Sequence, residues 1–428
     1  MNYKEFLEYI YERHSGNVKL GLERMLAVLA GMGHPECELS GIHVGGTNGK
    51  GSTCAMIEAM AIGMGLKTGF NSSPHLVDYR ERIRVNGIDI KLETLLQLYE
   101  DWDVLFQDNE ASFFEITTAM AFRHFLQEKV DCSIFEVGLG GRLDGTNPFE
   151  AEVAVITSIS FDHVKSLGNT IEKIAWEKAG IIKKGQTVVV GDVPENALRI
   201  ISKVAEDRGA RVLAAGIDFK IENVRLSEHG TIFNYKNSLV TFQDIKVNLL
   251  GMHQASNAAL AITAFGLWLQ SKGKELDEKT LRSSLGKVNW MGRMQILHKN
   301  PTVIIDGAHN AEGVEKLVSN LEQIFAGKRI LTVLAILRDK NLDEMIHNIA
   351  GVSDRIYISK NKSKRAAEIS DQVAVAEKYG AYYETSYDVV TALRRALSDA
   401  KAEDIIVIAG SLYTISEVLA AEIFKEEL

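Results

Sequence analysis

Cysteine is scarce: Cys37, Cys54 and Cys132 are the only 3 in 428 residues. They offer neither paired zinc-like spacing nor a disulfide framework, which points to a reduced, cytoplasmic setting. Proline is limited to 5 residues, beside 46% hydrophobic and 25% charged residues, a folded composition. Positive charge is in deficit, with 48 Lys and Arg against 57 Asp and Glu and a net charge of -9. That balance argues against broad nucleic-acid binding, which needs a cationic surface to displace phosphate counterions, yet leaves room for a local cluster that holds a small polyanion. A charged leader followed by an apolar secretory segment is lacking. The apolar run AMAIGMGLKTGF near the glycine-rich loop is broken by glycine and lysine, which makes a membrane span a poor explanation of it. The length supports two or three domains.

What is abundant is glycine at one place. HVGGTNGKGS, residues 43 to 52, sits between a short apolar run and a helix-like run. It departs twice from the standard nucleotide P-loop, because Val44 stands where the first glycine belongs and Gly51 follows Lys50 where Ser or Thr belongs. The physics survives: Gly45, Gly46, Gly49 and Gly51 permit tight turns whose N–H groups converge on phosphate, Lys50 supplies a mobile charge, and the next helix adds its positive end. The competing reading is a glycine-rich turn with a surface lysine.

Alternating strand-like and helix-like runs predict a largely parallel sheet covered by helices. GIHVGG, GLKTGFNSS, DCSIFEVG, EVAVITSIS, QTVVVG and RVLAAG read as strands, with helices over about 52–64 and 113–128. Residues 219 to 249 favour short strands and polar turns, a β-rich insertion, before a helix at 253–270. TVIIDG, RILTVLAIL, DRIYISK and EDIIVIAG supply a second α/β module, with helices near 311–326, 366–379 and 387–399 and at the C-terminal end. The expected division is a domain over 1–293, a linker at 294–299 and a domain over 300–428.

Several polar residues close these runs. Glu136 ends a strand where a metal and phosphate would meet a neighbouring P-loop. SISFDHVKSLG supplies Asp162 and His163, the histidine as a metal ligand or, more simply, a hydrogen-bonding residue. Lys178 in WEKAGIIKKG suits solvation of a helix end, or carbamylation by CO2 into an anionic metal-facing group. Arg293, Asp306, His309 and Asn310 follow in NWMGRMQI and TVIIDGAHN, as ligand contacts or as a salt bridge and loop caps.

Together with GLERMLAVLAGMGHPE, SSPHLVDYRERIRVNG, FEVGLGGRLDGTN, GMHQASNAA and AGSLYTISEV, these motifs make the chain resemble the folylpolyglutamate synthase/dihydrofolate synthase family of the Mur ligase superfamily over nearly its whole length. The resemblance implies an α/β fold with a P-loop ATPase-like N-terminal domain carrying the β-rich insertion, a smaller Rossmann-like C-terminal ligase domain, and an active site between them. It makes the spacing around Lys50 ordinary for the group. It implies ATP held by Gly46, Thr47, Asn48, Gly49, Lys50, Gly51, Ser52, Asn257, Arg293 and Asp306, and two Mg2+ ions held by Ser73, Glu136 and His163. Lys50, Lys178 and His309 are the implied catalytic residues, with Lys178 carbamylated and a monovalent cation as a further ligand. Phe114, Glu115, His309 and Ser411 are the implied substrate contacts. Asn71 and Asn341 depart from the residues common at the edges of the family's motifs.

The implied reaction is ATP-dependent addition of L-glutamate to a folate through an acyl phosphate, and of the first glutamate to dihydropteroate. The expected partners are these small molecules alone, with no nucleic acid, no membrane and a monomeric chain. Another Mur-type amino-acid ligase, or a nucleotide-responsive interaction protein that has lost ligation, are the alternatives.

Overall fold

Apolar runs of four or five residues, rich in β-branched side chains, become strands buried on both faces, the pattern of a parallel sheet under helices. A computed structural model describes residues 1–13 and 21–424. The first sheet contains β1 (Gly41–Gly45), β2 (Thr68–Asn71), β3 (Ile83–Val85), β4 (Ile88–Asp89), β5 (Cys132–Glu136), β6 (Val153–Ile156), β7 (Thr187–Val190) and β8 (Arg211–Ala214). Their order is β4-β3-β2-β5-β1-β6-β7-β8, so β1 lies between β5 and β6 and its C-terminal end opens into the glycine-rich loop. The pairings are parallel except at the edge, where β2, β3 and β4 run antiparallel.

The helix Phe113–Gln127 starts at a capping box in which Ser112 and Glu115 satisfy each other's backbone N–H groups. Its Phe122 and Phe125 pack on Phe135 of β5, and Phe122 lies 4.3 Å from Phe135 between ring centres. This aromatic core fixes the strand that delivers Glu136.

Three strands, β9 (Phe219–Ser227), β10 (Gly230–Asn237) and β11 (Thr241–Val247), make the separate sheet expected of the insertion, in the order β11-β10-β9. The helix Met252–Ser271 follows. The last sheet has β12 (Gln295–His298), β13 (Thr302–Ile305), β14 (Ile330–Leu334), β15 (Arg355–Ile358), β16 (Tyr383–Thr385) and β17 (Ile405–Ala409), ordered β12-β13-β17-β14-β15-β16. Its core joins Ile304, Leu334, Ile356 and Val407 to Val314 and Leu321 of the helix Ala311–Ile324.

Two compact units emerge. One comprises Met1–Asn223, Phe233–Lys246 and Ser256–Val288; the other comprises Val224–Ile232, Val247–Ala255 and Asn289–Leu428. The linker expected at 294–299 is corrected: Gln295–His298 is strand β12, paired antiparallel with β13 through an irregularity between Ile296 and His298. Its backbone groups are thereby satisfied within the second sheet, which a free linker would leave to water. Among the described residues, no helix is long and apolar enough to cross a membrane.

Candidate active site

The glycine loop is shaped by two backbone conformations that side chains resist. Gly46 has φ 138° and Gly49, at the N-cap of the helix Lys50–Gly63, has φ 87°. A Cβ on Gly46 would lie 1.9 Å from Thr157 Oγ1. The segment after β6 laces the loop in place: Thr47 N donates to Ser158 O at 2.8 Å, Asn48 N to Ser158 Oγ at 2.9 Å, and Thr157 Oγ1 to Asn48 O at 2.7 Å. No side chain caps the N-terminus of the helix Lys50–Gly63, unlike the capping box on Phe113–Gln127. A glycine turn before an uncapped helix end is an anion site. Asn257 stands against it, with its Oδ1 2.4 Å from where a Cβ on Gly49 would be.

Lys50 does not project away from the loop. Its Nζ turns back to donate to Gly46 O at 3.2 Å and Thr47 O at 3.0 Å. Lys178, in the last turn of the helix Ile171–Ala179, reaches the same Gly46 carbonyl at 2.7 Å, with only 5% of the residue exposed. Two amines therefore crowd one acceptor. Burial first, and then the charge of Lys50, bring the Lys178 ammonium down to a pKa of about 7, against the opposing pull of Asp162 and Asp144. The solvated helix-end role is excluded by that burial, and the amine is poised to lose its proton near neutrality.

Ser73 and Glu136 meet. Glu136 closes β5 beside Val44 of β1, and its Oε2 accepts the Ser73 N–H at 3.1 Å. Asn71, at the end of β2, is spent on structure, with its Nδ2 donating to Arg82 O at 2.9 Å. His163 lies on the loop after β6 in a left-handed conformation, exposed, and its Nε2 is 3.8 Å from Asp162 Oδ2. An acidic carboxylate beside a serine next to a phosphate loop suits a hard divalent ion, and an exposed imidazole with a neighbouring carboxylate suits ligation as well.

The loop over residues 137–147 leaves this corner and runs under the Phe114 ring. The Phe114 ring covers two glycines: a Cβ on Gly138 would sit 2.6 Å from it, and one on Gly145 3.2 Å. Glu115 has both oxygens engaged, receiving Arg24 Nη2 at 3.0 Å and Arg24 Nε at 3.1 Å, as well as the Ser112 N–H at 2.8 Å. It fixes the helix that presents Phe114. Asp144, buried, accepts from Leu139 N, Thr146 N and Thr146 Oγ1, and burial raises its pKa against those donors.

In the second unit, Arg293, Asp306 and His309 come together around the turn after β13. Asp306 accepts from Met294 N at 2.8 Å and Ala308 N at 2.7 Å; burial pushes its carboxyl up, opposed mainly by Arg293. Arg293 Nη1 lies over Gly307, and His309 Nδ1 is 2.9 Å from Gly307 O. Asn310 caps the helix Ala311–Ile324. Ser411 is 1% exposed and caps the helix Leu412–Ala420, with Asn361 and Thr414 on its hydroxyl. Asn341 likewise caps the helix Leu342–Val352.

Comparison with known proteins supplies the frame for these corners. Residues 44–265 match the Mur ligase middle domain and residues 292–412 match the Mur ligase, glutamate ligase domain. The dihydrofolate synthase/folylpolyglutamate synthase of Bacillus subtilis is 39% identical over 425 residues, covering 97% of this chain and 98% of that protein. The chain belongs to the folylpolyglutamate synthase/dihydrofolate synthase family. Escherichia coli FolC in complex with DHPP and ADP superposes with a TM-score of 0.89 at 32% identity, over 98% of this chain and 97% of that one. The bifunctional folylpolyglutamate synthase/dihydrofolate synthase from Yersinia pestis, complexed with AMPPNP and Mn ion, gives 0.87 at 30% identity over 98% of both chains. As a member of this family the chain is an ATP-dependent ligase that joins glutamate to folates.

Within the family frame, sequence reasoning missed the residues that shape the loop. Thr157 and Ser158 are visible only as polar residues closing the run EVAVITSIS, a signal as available as that of Glu136. Asp144 was contained in the GGRLDGTN motif but had no assigned part, because its role is to organise backbone donors around itself.

Proposed function

We propose that one site in this chain performs two glutamate ligations, on dihydropteroate and on reduced folates. The observation that carries the reading is the meeting of Lys50 and Lys178 on the Gly46 carbonyl of a glycine loop that precedes an uncapped helix end. An acceptor carboxylate oxygen attacks the γ-phosphorus of ATP, forming an acyl phosphate as ADP leaves. The glutamate amine then attacks the acyl carbon, phosphate departs, and the amine loses its proton as the amide forms.

Each step gathers negative charge on phosphoryl oxygens, which the loop N–H groups and Lys50 are positioned to receive. When ATP enters, Lys50 exchanges its two carbonyl partners for phosphate. Gly46 through Ser52 and Asn257 line the nucleotide, and Arg293 and Asp306 contribute to it. Ser73 and Glu136 would hold one Mg2+, and His163 a second; when bound, the ions neutralise the charge that the phosphoryl oxygens develop. Lys178, whose amine is neutral in a large fraction of molecules near pH 7, reacts with CO2 to become an anionic carbamate facing that corner. Phe114 provides the flat apolar face for the folate ring, with Glu115 holding its helix. His309 acts on the incoming glutamate, and Ser411 positions the backbone beside it.

The family resemblance supports a monovalent cation as a further ligand. Three unpaired cysteines fit a cytoplasmic chain, and we propose that it acts as a monomer. ADP release from purified protein, measured with ATP and Mg2+ while glutamate and the acceptor are withheld in turn, tests this reading. Sustained release over many turnovers should require both; a rate that ignores the acceptor would contradict it.

A further inference from the structure

On the side of the first unit that leads into β1, the sequence Gly33-His34-Pro35-Glu36-Cys37 makes a tight turn with Gly33 at φ 79° and His34 at φ 55°. The turn gathers an imidazole, a carboxylate and a thiol. His34 Nδ1 is 3.0 Å from Glu36 Oε1, Cys37 Sγ is 3.7 Å from the same oxygen, and one donor atom from each residue lies within 4.8 Å of the others. Bonds of about 2.0 Å to nitrogen and oxygen and about 2.3 Å to sulfur put donors in a tetrahedral zinc site roughly 3.3 to 3.6 Å apart. The two spacings to Glu36 Oε1, 3.0 and 3.7 Å, already stand near those values.

An ordinary ion pair accounts for only part of this arrangement. Glu36 is 4% exposed, yet its Oε2 is buried and accepts no hydrogen bond. A buried carboxylate oxygen without a donor is costly unless a cation completes it. Nothing in the ATP loop or the Ser73–Glu136 pair uses these residues.

We propose that His34, Glu36 and Cys37 bind one thiolate-seeking divalent transition ion, with Zn2+ the best fit, leaving a fourth position for water. The mixed nitrogen, oxygen and sulfur set selects zinc or cobalt over magnesium, which prefers oxygen alone. Binding releases the Cys37 proton, so affinity rises with pH. The ion cross-links the turn Pro35–Glu38, which packs against the helix Phe113–Gln127. Its role is to brace that wall, separate from the phosphate chemistry.

The test is a Co2+ titration of the purified full-length protein without nucleotide and with Mg2+ in excess, followed by displacement with Zn2+ against a chromophoric chelator. The wild type should bind one equivalent with thiolate-to-cobalt charge-transfer absorption. Cys37→Ser should lose that band, His34→Asn should weaken binding at least tenfold, and both should keep ligase activity near the wild-type value. Cys54 and Cys132 are buried, so they cannot supply the band. Absence of the band from wild type, or its persistence in Cys37→Ser, overturns the proposal. The wild-type result alone decides the matter should a variant fail to fold.

Discussion

Removing CO2 from the protein should silence it, and returning CO2 should restore it with a pH dependence set by Lys178. Its pKa of about 7 leaves about half the amines neutral at pH 7, against about one in 3,000 for an ordinary lysine, an enrichment of roughly 1,500-fold. Carbamate formation consumes the neutral amine, so at constant dissolved CO2 its initial rate should climb about fivefold from pH 6 to pH 7 and less than twofold from pH 7 to pH 8. An ordinary lysine would give about tenfold at each step. Protein dialysed in CO2-free buffer at low pH, then supplied with 13C-labelled bicarbonate, should show one carbamate resonance that rises with activity and is missing in Lys178→Gln. A tenfold rise per pH unit throughout, or full activity in CO2-free buffer with no such resonance, would refute the reasoning. Stability follows the same linkage. Because the folded pKa lies below the unfolded one, the buried charge costs stability progressively as pH falls from 10.5 toward 7 and fully below that. Lys178→Met should therefore melt above the decarbonated wild type at pH 6, by at most about 5 kcal/mol of stability, and lose that advantage above pH 10.

Lys50→Ala should lower kcat/KM about 100- to 1,000-fold while the melting curve stays close to that of wild type, since the side chain leaves only two loop carbonyls behind; steady-state kinetics with thermal melts check both. Gly46→Ala forces a Cβ to 1.9 Å from Thr157 Oγ1 at φ 138°, so chemical denaturation should show a loss of about 2 kcal/mol, and calorimetry should show weakened ATP binding. Phe114→Ala removes the ring over Gly138 and Gly145 and should raise the KM for the folate acceptor about tenfold, near 1.4 kcal/mol, with the KM for ATP unchanged.

Much of this site can be read from residue types, because glycines that need positive φ and a lysine inside a phosphate loop have few other uses. The central strands are equally legible: runs such as CSIFE and VAVI are buried on both faces. The edge hairpin was overlooked although Asn86 and Gly87, with φ of 51° and 74°, form the turn that Asn-Gly favours. β12 passed for a linker because four residues with one bulge carry little alternation, and their pairing with β13 is a tertiary fact. Side-chain direction was not legible at all. The burial of Lys178 and the capture of Glu115 by Arg24 depend on partners distant in the chain, and the inward fold of Lys50 depends on where the loop's own carbonyls point. Ser411 stands in the structure as a helix cap, a role whose hydroxyl chemistry is the same as that of a ligand contact and so cannot be told from it in sequence.

The central claim is glutamate ligation to two acceptors at one site. Mass spectrometry of the products formed from ATP, Mg2+ and glutamate with dihydropteroate, with a reduced folate, and with a UDP-sugar peptide precursor tests it most directly. The account predicts a gain of one glutamate on dihydropteroate and of one or more on the reduced folate, each matched by one ADP and abolished together in Lys50→Ala. Exclusive use of the peptide precursor, or no amide on either pterin acceptor from folded protein, would contradict it.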